Sequence, residues 1–163
     1  MKKSAILASV VLAVSTLILG GCQQEKAQKD EARTAPDAKP GLSVAHARLV
    51  LPAVKGNPGA AYFDVTNNDD GEAVLVGVAV TGAQQTMMHD VVDKGGVSEM
   101  IMLDSLKLAR GESASFAPGG KHVMAMMLDP ALQPGGRTEI TLTFAGGDKL
   151  SAEATIEAPG AAH

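Results

Sequence analysis

From Leu42 onward, short apolar runs alternate with turn residues, a pattern that predicts β-strands throughout and no helix. Ser43–Leu51 alternates and stops at Pro52. Ala60–Thr66 is closed by Asn67-Asn68-Asp69-Asp70-Gly71. Ala73–Val80 carries valines at 74, 76, 78 and 80, a period of two. Gln84–Val92 and Val97–Leu103 flank Asp93-Lys94-Gly95-Gly96, the signature of a hairpin. Leu106–Leu108 and Ser113–Phe116 are weaker runs, and Lys121–Leu128 follows Pro118-Gly119-Gly120. Thr138–Ala145 and Lys149–Glu157 pair around Gly146-Gly147-Asp148. About eight or nine strands in a chain of this size predict an antiparallel β-sandwich.

The first residues follow a different pattern. Met1-Lys2-Lys3 is a basic head, Ile6–Leu19 is largely apolar, and Leu19-Gly20-Gly21-Cys22 follows. A basic head, a short apolar run and small residues before a cut describe a secretion signal. Leu-Gly-Gly-Cys resembles a bacterial lipobox, which implies cleavage after residue 21 and a lipid on Cys22. Residues 22–41 are charged and rich in Ala and Pro, so they bury too little surface to offset their ordering entropy and read as a flexible tether. The expected organisation is a signal at 1–21, a lipidated tether at 22–41, a folded domain at 42–157 and a loose tail at 158–163. Gln23 after the cysteine, rather than Asp, points toward the outer membrane under enterobacterial sorting logic.

Cys22 is the only cysteine, so an internal disulfide and every thiolate metal site are excluded, blue copper among them. The formal charge of −4, with no Trp and a single Tyr, gives no basic or aromatic surface for nucleic acid. No phosphate loop and no Ser/His/acid arrangement stands out. The eight methionines are the unusual feature, because all but Met1 fall between Met87 and Met127.

A hairpin turn centred between Lys94 and Gly95 would set His89 opposite Met100 and Met87 opposite Met102. Side chains alternate across a strand, so these four would share one face, with opposed Cβ atoms ~4.5–5.5 Å apart. In Lys121-His122-Val123-Met124-Ala125-Met126, His122 and Met124 share a face, and Met126 joins them. Bringing that strand to the hairpin would assemble two imidazoles and two thioethers. Thioether sulfur is soft and neutral and selects Cu(I), whereas zinc takes Cys, His and carboxylate and calcium takes oxygen. Met88 and Met127 fall on the opposite face and are assigned to the core. The competing reading is that methionine is only a flexible core filler. Met87, Met102 and Met126 stand open among spare ligands, a hydrophobic rim and support behind the ligands.

The spacing His89, ten residues, Met100, twenty-one residues, His122, one residue, Met124 resembles the H-x10-M-x21-H-x-M pattern of the periplasmic PCu(A)C copper chaperones. Pro118-Gly119-Gly120-Lys121-His122-Val123-Met124 is similar to that family's PGG-x-H-x-M, Gly59-Ala60-Ala61-Tyr62-Phe63 with Asn67 to its early strand, and Leu142-Thr143-Phe144 to its late strand. The resemblance covers roughly Leu42 to Ile156. It implies a cupredoxin-like Greek-key β-barrel, a surface Cu(I) site on His89, Met100, His122 and Met124, and no enzymatic activity. It also implies delivery toward the CuA centre of cytochrome c oxidase, often alongside a thiol-bearing assembly factor. The lipobox at Cys22 sets the expected place on the periplasmic side of a membrane, a departure from the freely soluble members, and the chain is expected to be a monomer. The chain departs from the pattern at His46, where many members carry an aromatic residue. It also ends at Ala-Pro-Gly-Ala-Ala-His163, where some members carry a long His/Met-rich tail that binds Cu(II). Two other roles fit the same residues: buffering of excess copper, and a metal-free lipoprotein module whose methionine face holds an apolar partner.

Overall fold

The computed structural model describes residues 40–161. The signal, Cys22 and the tether up to Lys39 lie outside the described residues, as do Ala162 and His163. Ten strands form: β1 (Leu42–Val50), β2 (Gly59–Asn67), β3 (Ala73–Val80), β4 (Ala83–Asp93), β5 (Ser98–Met102), β6 (Leu106–Leu108), β7 (Ser113–Phe116), β8 (His122–Leu128), β9 (Arg137–Phe144) and β10 (Lys149–Glu157). The two weak runs are both strands, which raises the count above the expectation. There is no helix among the described residues.

Hydrogen bonding links the strands in the order β5-β4-β8-β2-β1-β10-β9-β3-β6, with β7 beside β2. The jumps from β8 to β2 and from β1 to β10 make the connections Greek-key, and the architecture is an all-β, cupredoxin-like sandwich. One pair departs from the antiparallel expectation: β1 and β10 run parallel, with Arg48 opposite Thr155. Apolar alternation reports which side of a strand meets the core and carries nothing about strand direction, so the parallel pair was not encoded in it.

The core follows the period of two. β2 buries Ala61, Phe63, Val65 and Asn67 in alternation, and β10 buries Leu150, Ala152, Ala154 and Ile156. Phe63 lies opposite Phe116 in the β2–β7 register, and the rings stack at 4.4 Å. Each large apolar side chain buried in this way, such as Phe63, Val65, Leu150 or Ile156, contributes about 1.5–3 kcal/mol of transfer free energy. Two bulges switch the inward parity. In β1 the register shifts between Ala45 and Arg48, so Val44 and Leu49 both face the core although their numbers differ in parity. In β3 the register shifts between Leu75 and Gly77, so Val78 and Val80 point inward while Val76 is exposed. A bulge inserts one unpaired residue and turns every later side chain to the other face.

Both β7 and β8 pair with β2, Phe116 with Phe63 and Val123 with Ala61. Residues 117–121 therefore loop out between two strands that share one neighbour. The loop is closed by Ala117 N–H to Lys121 O at 2.7 Å and Gly120 N–H to Ala117 O at 3.1 Å, with Gly119 at φ +79°. It fixes His122 as the first residue of β8.

Candidate metal centre

β4 is the centre of the site because β5 and β8 flank it. On the β8 side the register sets His89 opposite His122, Met87 opposite Met124 and Gln85 opposite Met126. On the β5 side it sets His89 opposite Met102 and Val91 opposite Met100. Directly opposed residues share a face, so Met87, His89, Met100, Met102, His122, Met124 and Met126 all stand on one side of the three strands. Met88 alternates to the other side, where it is buried in the core opposite Val123.

The structure corrects the hairpin register. The turn is centred between Gly95 and Gly96, closed by Lys94 N–H to Val97 O at 2.9 Å. Both glycines have positive φ, 70° and 88°, the requirement of a two-residue type I′ turn. His89 therefore opposes Met102, and Met100 sits two residue pairs nearer the turn, opposite Val91 and diagonal to His89. The adjacent glycines were the signal that places the turn one residue later. A second correction concerns Met127. It is 54% exposed, not in the core, because its φ of 51° rotates it out of the alternation that buries Val123 and Ala125.

The two imidazoles approach with ring centroids 5.6 Å apart. His122 Nδ1 lies 2.9 Å from Gly120 O. A carbonyl only accepts, so in the neutral ring Nδ1 carries the proton and Nε2 the lone pair. The loop that launches β8 thus also selects the tautomer that a metal ligand needs. His89 Nδ1 is buried and makes no hydrogen bond, an uncommon state for a polar atom. Burial, and then the nearby charge of His122, hold the His89 pKa below its ordinary value. The neutral, lone-pair-bearing ring therefore persists to lower pH. On the reverse side, Asp90 and Lys121 pair at 2.9 Å, bracing β4 against the start of β8.

Among the described residues no three His, Cys, Asp or Glu side chains come together. The donors this face offers are two imidazoles and neutral thioethers, a soft set. Met100 and Met102 are 54% and 60% exposed, while Met87, Met124 and Met126 are half-buried. Met126 lies four residues from His122 along β8, about 13 Å at the usual strand rise, one same-face position further from the imidazole row than Met124. His46 stands elsewhere. It occupies the β1 bulge at φ 52°, and its Nδ1 pairs with Asp64 Oδ2 at 2.8 Å. His163 lies outside the described residues.

An all-β, cupredoxin-like domain with part-buried imidazoles and exposed thioethers on one face defines the class. The model of the LpqE-like lipoprotein family matches residues 42–156, and the chain belongs to that family. It is 30% identical over 147 residues to a Leifsonia xyli subsp. xyli (strain CTCB07) protein named as lipoprotein Lxx21020, covering 90% of this chain and 86% of that one. Among solved structures it is similar to the Cu(I) form of DR1885 from Deinococcus radiodurans, at 33% identity and a TM-score of 0.53, covering 80% of this chain and 85% of that chain. It is also similar in fold to the copper-bound PCuAC domain from PmoF2, at 24% identity and a TM-score of 0.60, covering 73% and 94%.

Proposed function

We propose that the chain is a copper(I) carrier of the cell envelope, holding one Cu(I) through His89, Met100, His122 and Met124. The observation that carries this reading is the strand register, which gathers both imidazoles and the methionines of the spaced motif on one exposed face. The donor chemistry supports it. Neutral nitrogen and thioether ligands match Cu(I) and leave its single charge uncompensated, which favours an ion that must later be released. The copper-loaded relatives support it further.

The role is carriage rather than catalysis, since four protein donors leave little room for a substrate at the ion. Delivery toward the CuA centre of cytochrome c oxidase, or to its thiol-bearing assembly factor, follows from the resemblance to PCu(A)C chaperones. Loss of oxidase activity at low copper in a deletion strain is the expected result, and copper sensitivity with normal oxidase would point to buffering instead. Anchoring through Cys22 on the periplasmic side of a membrane is supported by the lipoprotein family.

The decisive experiment is copper K-edge X-ray absorption on the chain loaded under reducing conditions. Mixed nitrogen and sulfur scattering at one Cu(I) per chain is expected. No stoichiometric copper, or a coordination shell without sulfur, would overturn the reading.

A further inference from the structure

We propose that Met102 is itself a copper(I) donor, exchanging with Met100 so that either thioether of the edge strand can hold the ion. The proposal rests on the copper reading above and names the residues through which the ion leaves.

Three observations carry it. The first is register. Met102 is the direct cross-strand partner of His89, and His89 is the direct partner of His122, so Met102, His89 and His122 form one row across three strands. Directly opposed Cβ atoms lie ~4.5–5.5 Å apart, whereas diagonal neighbours such as Met100 and His89 are separated by ~7–8 Å. Met102 is thus at least as well placed as Met100 to share an ion with His89.

The second is exposure. A methionine that merely fills the core is buried, as Met88 is at 6%, but Met102 is 60% exposed. It lies on β5, the end strand of the sheet among the described residues. Met100 is 54% exposed on the same strand, so an approaching acceptor meets these two sulfurs first.

The third is room to move. Met102 borders a cleft of about 240 Å³ lined by Val76, Val78, Met87 and Leu103 among others. An unbranched thioether side chain with three rotatable bonds can leave the ion for that space and return. In the exchange one copper–sulfur bond forms as the other breaks. Copper stays monovalent, both thioethers stay neutral, and no proton or electron moves.

The test uses the chain labelled with carbon-13 at its methionine methyl groups, as wild type, Met100→Ala, Met102→Ala and the double variant. Each is titrated anaerobically with Cu(I), with affinity read by competition against a Cu(I) chelator. Both side chains are more than half exposed, so all variants should melt within about 2 °C of wild type, as surface changes do. Copper should shift the methyl signals of Met100 and Met102 alike. Two equally populated donor states predict a loss of about twofold for each single variant. The double variant should lose far more than the product of the singles, the mark of interchangeable partners. A Met102 methyl signal unmoved by copper, together with a Met100→Ala variant as weak as the double, would overturn the proposal while leaving the copper site standing. Absence of copper from the wild type would overturn both.

Discussion

Replacing Met88 by alanine should weaken the fold and spare copper, and replacing Met124 should do the reverse. The two residues test the same assignment, the division of β4 and β8 into an inner and an outer face. Met88 is 6% exposed and sits opposite Val123, which is fully buried. Truncation to alanine removes three heavy atoms from a packed interior. The lost transfer free energy plus the cavity left behind costs about 2–5 kcal/mol for such a change. A value of about 3 kcal/mol suits an unbranched side chain whose neighbours can partly relax, and lowers the melting temperature by roughly 10 °C in a domain of this size. Met124 is half-buried on the outer face, opposite Met87. Its loss should cost about 1 kcal/mol or less in stability, while copper affinity falls by about tenfold or more, since losing even a residue that only supports a metal ligand costs about 10–100-fold. Urea denaturation of the copper-free chain reads the first quantity, and competition with a Cu(I) chelator reads the second. A Met124→Ala variant destabilised by as much as Met88→Ala, or a folded Met88→Ala variant that binds copper poorly, would refute the face assignment.

Asn67 is fully buried, and its Nδ2 donates to Gly71 O at 2.7 Å and Leu108 O at 2.9 Å while its Oδ1 accepts from Asp69 N–H at 3.0 Å. Asn67→Ala strands these backbone groups and should cost about 2–4 kcal/mol in urea denaturation, and a loss below about 1 kcal/mol would show that the network is dispensable. Asn67→Asp keeps the shape but points a carboxylate at carbonyls, so it should be the worse variant near neutral pH and recover partly in acid, where it regains a donor. In the copper-free chain the His89 imidazole should titrate below about 6.5 by NMR, because burial and His122 disfavour its charge. The sign follows: the unfolded chain takes up this proton first, so stability declines as pH falls below about 6.5 and the decline ends below the lower folded value. A midpoint at or above the ordinary value would contradict the burial of that ring. Copper(I) at a hundred times its dissociation constant should add about 2.7 kcal/mol to stability, and a melting temperature unmoved by copper would mean that the ion does not favour the native state.

Much of the fold, and the placing of the candidate His and Met residues on one face, were legible in the sequence, for a common reason. Alternation with period two states which residues share a face, so His122 and Met124, and Met87 and His89, could be grouped without knowing where their strands lie. What alternation cannot supply is any relation between strands. Direction was one such relation, and β1 beside β10 turned out parallel. Bulges were another. The valines at 74, 76, 78 and 80 form an unbroken period in the sequence, yet the register shift near Gly77 sends the first two away from the core and the last two into it. Met127 reads as a core residue by its number and is exposed because of a backbone angle that no periodicity reports.

Register was the third relation, and it bears most on function. Moving the β4–β5 turn by one residue changes the partner of His89 from Met100 to Met102 while leaving every residue on the same face. The shared face is therefore robust to the error, and the choice of thioether is not. A spaced motif specifies which residue types recur at which distances. The order in which their sulfurs approach His89 is decided by the turn between Gly95 and Gly96, the only place in the hairpin where both central residues tolerate positive φ without strain. Substituting either glycine with a β-branched residue would penalise that turn and favour a shifted pairing. Such a variant should change the relative copper response of the Met100 and Met102 methyls before it alters whether copper binds.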